Sequence, residues 1–182
     1  MEKKEMNDLR GANISLILDS YNAVFSDFDP RSSLERGISD DFLSECKKAV
    51  FSKGNVTELR LLLPSHLRNP NEEIKIKKRL KDHFKKHFRE KQKNLKMIKG
   101  QGWIWFVLGV AVMIADTFIY EYKLFYDFNK FLFNLLFVML QPCGWFFFWE
   151  GLGKVFIESK KEIPDYEFYK IMSEANIYFL NY

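Results

Sequence analysis

The sequence predicts an α-helical membrane protein: a two-span transmembrane hairpin with a small cytoplasmic α+β domain and a long basic helix leading into the first span. Three observations carry that prediction. Residues 103–120 (WIWFVLGVAVMIADTFIY) and 131–149 (FLFNLLFVMLQPCGWFFFW) are apolar and long enough, at about 1.5 Å per helical residue, to cross about 30 Å of hydrocarbon. The segment just before them is strongly cationic. The first 70 residues read as alternating helix and strand, as in a soluble domain. The chain therefore divides into residues 1–70 as a cytoplasmic α+β domain, 71–102 as a basic juxtamembrane helix, 103–157 as the hairpin, and 158–182 as a cytoplasmic tail that joins the α+β domain.

The opening MEKKEMNDLRGAN is charged, and the apolar run 14–18 is too short for a signal-peptide core, so no signal peptide is expected. FSDFDPR (25–31) sets Asp27 and Asp29 two apart before Pro30. A turn is the plain reading; a held cation, or an anchor against Arg31, is the sharper one. Residues 33–39 (SLERGIS) read as a strand. Ser39 as N-cap, with Asp40 and Asp41 in the first turn, opens a helix over 40–52 that Gly54 and Asn55 stop. Residues 57–63 (TELRLLL) alternate and end at Pro64, as a strand does. The final ANIYFLNY is rich in strand formers and is expected to close the same sheet.

Residues 71–99 hold 12 of the 28 Lys and Arg but 4 of the 24 Asp and Glu, a net +8 against −4 for the rest of the chain. Such asymmetry points to an anionic partner, either lipid headgroup or nucleic acid. The segment has Glu72 and Glu73 in its first turn and no Pro or Gly before Gly100, so a helix is expected. Ile76, Leu80, His83, Phe84, His87, Phe88, Leu95 and Ile98 fall in an arc of roughly 140°. The other arc is mostly basic, and Lys75, Lys78, Arg79, Lys85, Lys86, Arg89 and Lys93 are the candidate polyanion contacts. If Gly100 and Gly102 do not break it, the helix runs into the first span for about 50 residues.

Trp103, Trp105, Tyr120, Tyr122, Tyr126, Trp145 and Trp149 lie mostly near the ends of the spans, where amphipathic rings prefer the interface. Twelve cations precede the first span, and Lys154, Lys160 and Lys161 follow the second. The connector 121–130 is short and charge-balanced. The positive-inside rule then places both termini in the cytoplasm, and the expected location is the cytoplasmic (inner) membrane. Asp116, Asn134, Gln141 and Glu150 are the candidate pore or interhelix polar residues. Asp116 near the outer end can also snorkel, and Glu150 can simply pair with Lys154. Pro142, Cys143 and Gly144 are expected to kink the second span. Two spans enclose no pore alone, so a homo-oligomer, a tetramer, is expected.

His83 and His87 have the i, i+4 spacing of helical metal sites, yet both sit on the apolar stripe, and packed histidines are the expectation; no metal or other cofactor is assigned. No nucleophile stands beside a base and no glycine-rich phosphate loop is present, so no enzyme is expected. Cys46 and Cys143 lie in dissimilar contexts and suit a reducing compartment rather than a bridge.

The stretches FSDFDPR, GISDDFLSECKKA, ELRLLLP, IKKRLKDHFKKHF and QPCGWFFFWEGL, in this order over most of the chain, resemble a largely uncharacterised family of small prokaryotic two-span membrane proteins. The chain is also similar to the membrane effector of the Hailong anti-phage system, whose partner enzyme, a nucleotidyltransferase, makes DNA oligomers. That resemblance implies an oligomeric channel-like effector with a basic cytoplasmic chamber that senses those oligomers. The competing expectation is a membrane anchor or scaffold whose basic helix binds anionic lipids or a partner protein.

Overall fold

A computed structural model describes residues 13–28, 36–54, 56–124 and 129–181. Asp29, Pro30 and Arg31 of the expected turn, residues 33–35 of the expected strand, the charged opening 1–12, Asn55, Tyr126 and Tyr182 lie outside the described residues. In chain order the elements are β1 (Asn13–Ile17), a 3-10 turn (Tyr21–Val24), α1 (Asp40–Lys53), β2 (Glu58–Leu63), a 3-10 turn (Ser65–Leu67), α2 (Pro70–Glu121), α3 (Lys130–Leu152), a π-helix (Gly153–Glu158), α4 (Ser159–Glu174) and β3 (Asn176–Asn181). The chain divides into two compact units, residues 1–90 with 165–182 and residues 91–164.

The first unit is a three-stranded, all-parallel sheet in the order β1-β2-β3, with Leu16 opposite Leu61 and Leu61 opposite Phe179. Parallel neighbours need crossover connections, and α1 supplies the first. The second, from β2 to β3, contains α2, α3 and α4, so the apolar helices are an insertion within a β-to-β crossover. Strand alternation sends Ile14, Leu59, Leu61, Leu63, Ile177 and Phe179 to one face, where all are buried. Against that face α1 contributes Phe42, Cys46 and Val50, α2 contributes Ile76, Leu80 and Phe84, and α4 contributes Phe168 and Met172. Each set recurs at four-residue spacing, one stripe of a helix, and each large side chain removed from water contributes about 1.5–3 kcal/mol.

The partner strand expected at 33–39 is not formed over its described part. Ile38 makes only an isolated antiparallel bridge to Phe25, and β2 pairs instead with residues 13–17 on one edge and with β3 on the other. The physical reason is alternation: Ile14 and Leu16 lie level with Leu59 and Leu61 and bury with them. Elsewhere the elements follow their local signals. Gly54 ends α1 at φ 78°, a left-handed conformation that costs glycine little, and its N–H donates to Val50 O at 2.8 Å.

Polar groups lock the ends of this unit. Glu73 is buried near the N-terminus of α2 and accepts a two-pronged bond from Arg68, Nε to Oε1 at 2.7 Å and Nη2 to Oε2 at 2.8 Å. Tyr21 Oη donates to the same carboxylate at 3.1 Å, while Arg68 Nη1 reaches Asn181 Oδ1 at 2.7 Å. Arg68 first, and Tyr21 after it, hold the Glu73 carboxyl below the usual carboxylate range against the opposing effect of burial. Lys81 Nζ donates to the carbonyls of Glu174 and Ala175 at 3.2 and 2.7 Å, a cation capping the C-terminal end of α4.

The second unit is an antiparallel pair formed by the later part of α2 and by α3. Asn129 starts α3 by accepting from the N–H groups of Phe131 and Leu132 at 3.0 and 3.2 Å. Neither Gly100 nor Gly102 interrupts α2, and α3 runs through Pro142. The helices touch at glycines. A Cβ on Gly109 would sit 2.4 Å from Phe148 N and 2.9 Å from Gly144 O, and one on Gly151 would sit 2.4 Å from Phe106 N and 2.7 Å from Gly102 O. Gly102 therefore stands opposite Gly151 and Gly109 opposite Gly144, the small-residue contact that lets two backbones approach closely. Ring pairs flank it: Trp105 with Phe147 at 5.1 Å, Phe106 with Phe148 at 5.0 Å and Tyr120 with Phe137 at 5.1 Å. Both helices are long and apolar enough to cross a membrane, and most of their apolar surface points outward.

Candidate functional site

The basic part of α2 is shaped by its buried stripe. At 100° per residue Ile76, Leu80 and Phe84 centre on one direction, and Lys75, Lys78, Lys85, Lys86 and Arg89 fall within about 100° centred on the opposite one. All five are exposed, and none forms an ion pair with a described residue. Lys93 belongs to the second unit and is exposed there. Lys85, Lys86 and Arg89 line a shallow concavity together with Asp82 and Glu90. The acids reduce its net charge, although Glu90 is partly engaged by His87 Nδ1 at 3.0 Å.

Arg79 does not belong to this face. Its Nη2 donates to the Arg36 carbonyl, and its guanidinium lies over the Phe25 ring at 4.8 Å, so packing inside the first unit uses it. Lys77 over Phe179 and Lys81 at the end of α4 are likewise turned inward. The cationic run thus separates into residues that hold the fold and residues that face solvent.

His83 and His87 pack together, ring centroids 4.3 Å apart, with His87 stacked on Tyr169 at 5.2 Å. Among the described residues no group of three potential metal ligands forms around them. His83 Nε2 is buried with no hydrogen-bond partner. Burial first, then the neighbouring His87 and Lys86, push the His83 imidazole down to about 4, which keeps it neutral at physiological pH. His66 lies in an exposed turn far along the chain from both.

The polar residues of the apolar helices separate in the same way. Asp116 neither snorkels nor faces out: it is 7% exposed, and its Oδ1 has no partner. Its position explains this, for Gly102, Gly109 and Asp116 are seven apart and share the α2 stripe that meets α3. Asn134 and Gln141 are exposed on α3. Glu150 Oε1 lies 3.5 Å from Lys154 Nζ, which also reaches Glu158 at 3.3 Å, so Glu150 belongs to an i, i+4 ladder along its own helix. The site residues missed by sequence reasoning are the four glycines. Their heptad spacing in each helix was the available signal.

No protein-family model matches the chain, and neither a curated protein nor a solved structure matches it.

Proposed function

We propose that this chain is a two-span protein of the cytoplasmic membrane, with both termini cytoplasmic, that assembles with copies of itself into a channel- or pore-type effector governed by a polyanion. One observation carries the reading: a single helix, α2, presents an exposed cationic face in its first part and an outward-facing apolar surface in its later part. Apolar surface on that scale is unfavourable in water and is satisfied by lipid. Cations concentrated on one face attract phosphates, most strongly where several copies bring them together. A tetramer is the assembly proposed, a DNA oligomer the ligand, and a nucleotidyltransferase the functional partner acting through its product. A role in anti-phage defence follows from the resemblance of the sequence motifs to the Hailong effector.

Two experiments test this. Reporters at either terminus should be cytoplasmic and one inserted near residue 127 external; opposite sides for the two termini would remove the hairpin. Binding of a short single-stranded oligonucleotide to the purified full chain should weaken linearly in log affinity against log salt. Replacing Lys85, Lys86 and Arg89 with Gln should reduce that slope by about 2, since each single-strand phosphate contact contributes about 0.7. Arg79→Gln should lower stability rather than the slope. No oligonucleotide binding at low salt, with loss of anionic-vesicle binding in the triple variant, would identify the cations as a lipid-facing collar on a membrane anchor.

A further inference from the structure

We infer that one side of the hairpin, bearing the two α3 amides and a groove on α2, is where a second copy of this chain packs, with the Val138 ridge of one copy seated in the α2 groove of the other. This rests on the membrane reading above and assigns the surface through which copies assemble.

The glycine faces are already used within the hairpin, so contacts between copies must come from elsewhere. Measured at 100° per residue from Gly144, Gln141 and Asn134 lie about 60° and 80° around α3, with Trp145 and Val138 at about 100° and 120°. All four are exposed, Val138 at 63%. On α2, Val110, Met113, Ile114, Thr117 and Phe118 line a groove centred about 100° around from Gly109. In an antiparallel pair, equal angles from the contact line fall on the same side. The packing bears this out: Phe106 and Phe148, each about 40° beyond its glycine, meet at 5.0 Å. The amides and the groove therefore share one side of the hairpin.

They also share one depth. With Gly109 opposite Gly144, Val138 lies level with Ala115, in the middle of the groove, and Asn134 and Gln141 bracket it. An amide needs both donors and acceptors, and hydrocarbon supplies neither. A second copy supplies both, because it carries amides of its own and Thr117 in its groove. Thr117 Oγ1 donates to Met113 O at 2.9 Å, which leaves its lone pairs to accept from a neighbour's amide. An apolar knob flanked by two amides thus meets an apolar hole edged by a hydroxyl. One chain carries both parts on the same side, so an identical chain fits where a lipid tail leaves the amides unsatisfied.

The test is the mass of the full chain in mild detergent, alongside topology reporters in membranes. Asn134→Leu/Gln141→Leu, and separately Ile114→Trp in the groove, should shift the wild-type oligomer toward single 21.8 kDa protomers without changing topology. Leu108→Trp, on the opposite side of α2, should leave the oligomer intact. As a second measurement, copies carrying Thr117→Cys and copies carrying Val138→Cys, both in a Cys143→Ser background, should form a mixed disulfide dimer when co-expressed and oxidised. An oligomer that survives both disrupting variants and yields no mixed dimer overturns this surface while leaving the pore reading standing. A wild-type chain that inserts but is monomeric in membranes overturns both. A chain that fails to insert overturns the membrane reading first, and the reporters tell the two failures apart.

Discussion

Gly109→Ala and Gly100→Ala are the same chemical change on the same helix, and the structure gives them opposite signs. A Cβ on Gly109 would lie 2.4 Å from Phe148 N, 2.8 Å from Phe148 Cα and 2.9 Å from Gly144 O, where ordinary contact begins at 3.4 Å. The nearest obstacles are backbone atoms of α3, which cannot rotate away, so the helices must separate by about 1 Å locally. Overpacking of this kind costs about 1–3 kcal/mol. The better helix propensity of alanine returns up to about 1 kcal/mol, leaving a net loss of up to about 2 kcal/mol. At Gly100 nothing lies within 4 Å of an added Cβ, so only the propensity gain remains. All four tryptophans, Trp103, Trp105, Trp145 and Trp149, lie in the hairpin, so their fluorescence during SDS titration of mixed micelles reports its unfolding. Gly109→Ala should unfold at lower SDS fraction than wild type and Gly100→Ala at equal or higher. Gly109→Ala/Gly151→Ala should lose less than the sum of its parts, because helices already separated accept the second methyl more easily. Equal stability for Gly109→Ala and Gly100→Ala would refute the glycine contact.

The remaining predictions concern the first unit, read by hydrogen exchange of the β2 amides in the intact chain. His83 has a folded-state pKa near 4 against about 6.5 unfolded, so the unfolded chain binds the extra proton between those values. Stability is then full above about pH 6.5 and falls as pH drops toward 4; with solvent screening of a half-buried ring the loss is about 1–2 kcal/mol. His83→Leu should flatten that pH dependence, and an unchanged profile would show that the ring titrates normally. Arg68→Ala should cost about 2–3 kcal/mol by taking its two-pronged charged partner from a buried carboxylate, and adding Glu73→Gln should recover part of it. Additive losses would mean that the two side chains act independently. Because Glu73 is held below its usual range, the stability it contributes is present above about pH 4.3 and is lost as pH falls further.

Local signals were sufficient where one element decides its own fate. The Asp40–Lys53 helix followed its first-turn acids and Gly54, and the stripe of Ile76, Leu80 and Phe84 was set by spacing alone. Residues 13–17 were not legible as a strand. Five residues after a charged opening carry little pattern, and Ile14 and Leu16 are buried by partners distant in the chain, Leu59 and Leu61 of β2 among them, more than forty residues away. Gly102 and Gly144 invite a reading as breakers, because a glycine in one helix reveals nothing of the helix that faces it. The seven-residue steps from 102 to 109 to 116 and from 144 to 151 carried the information, and they also account for the burial of Asp116. Arg79 was indistinguishable from its cationic neighbours until the chain folded, since its partner is the Arg36 carbonyl in a distant loop. The open sides of α2 and α3 follow from the spacing once the glycine contact is known.

In the proposed assembly a cytoplasmic cationic face governs what the membrane hairpins do together, and ion flux across liposomes containing the full chain reads that coupling out. Flux through the wild-type protein should change when a short single-stranded oligonucleotide is added at low salt on the side of the basic helix. The effect should fade as salt rises and be absent when Lys85, Lys86 and Arg89 are replaced by Gln. Flux that the oligonucleotide leaves unaltered in wild type and variant alike, or no flux from a correctly inserted oligomer under either condition, would contradict the claim.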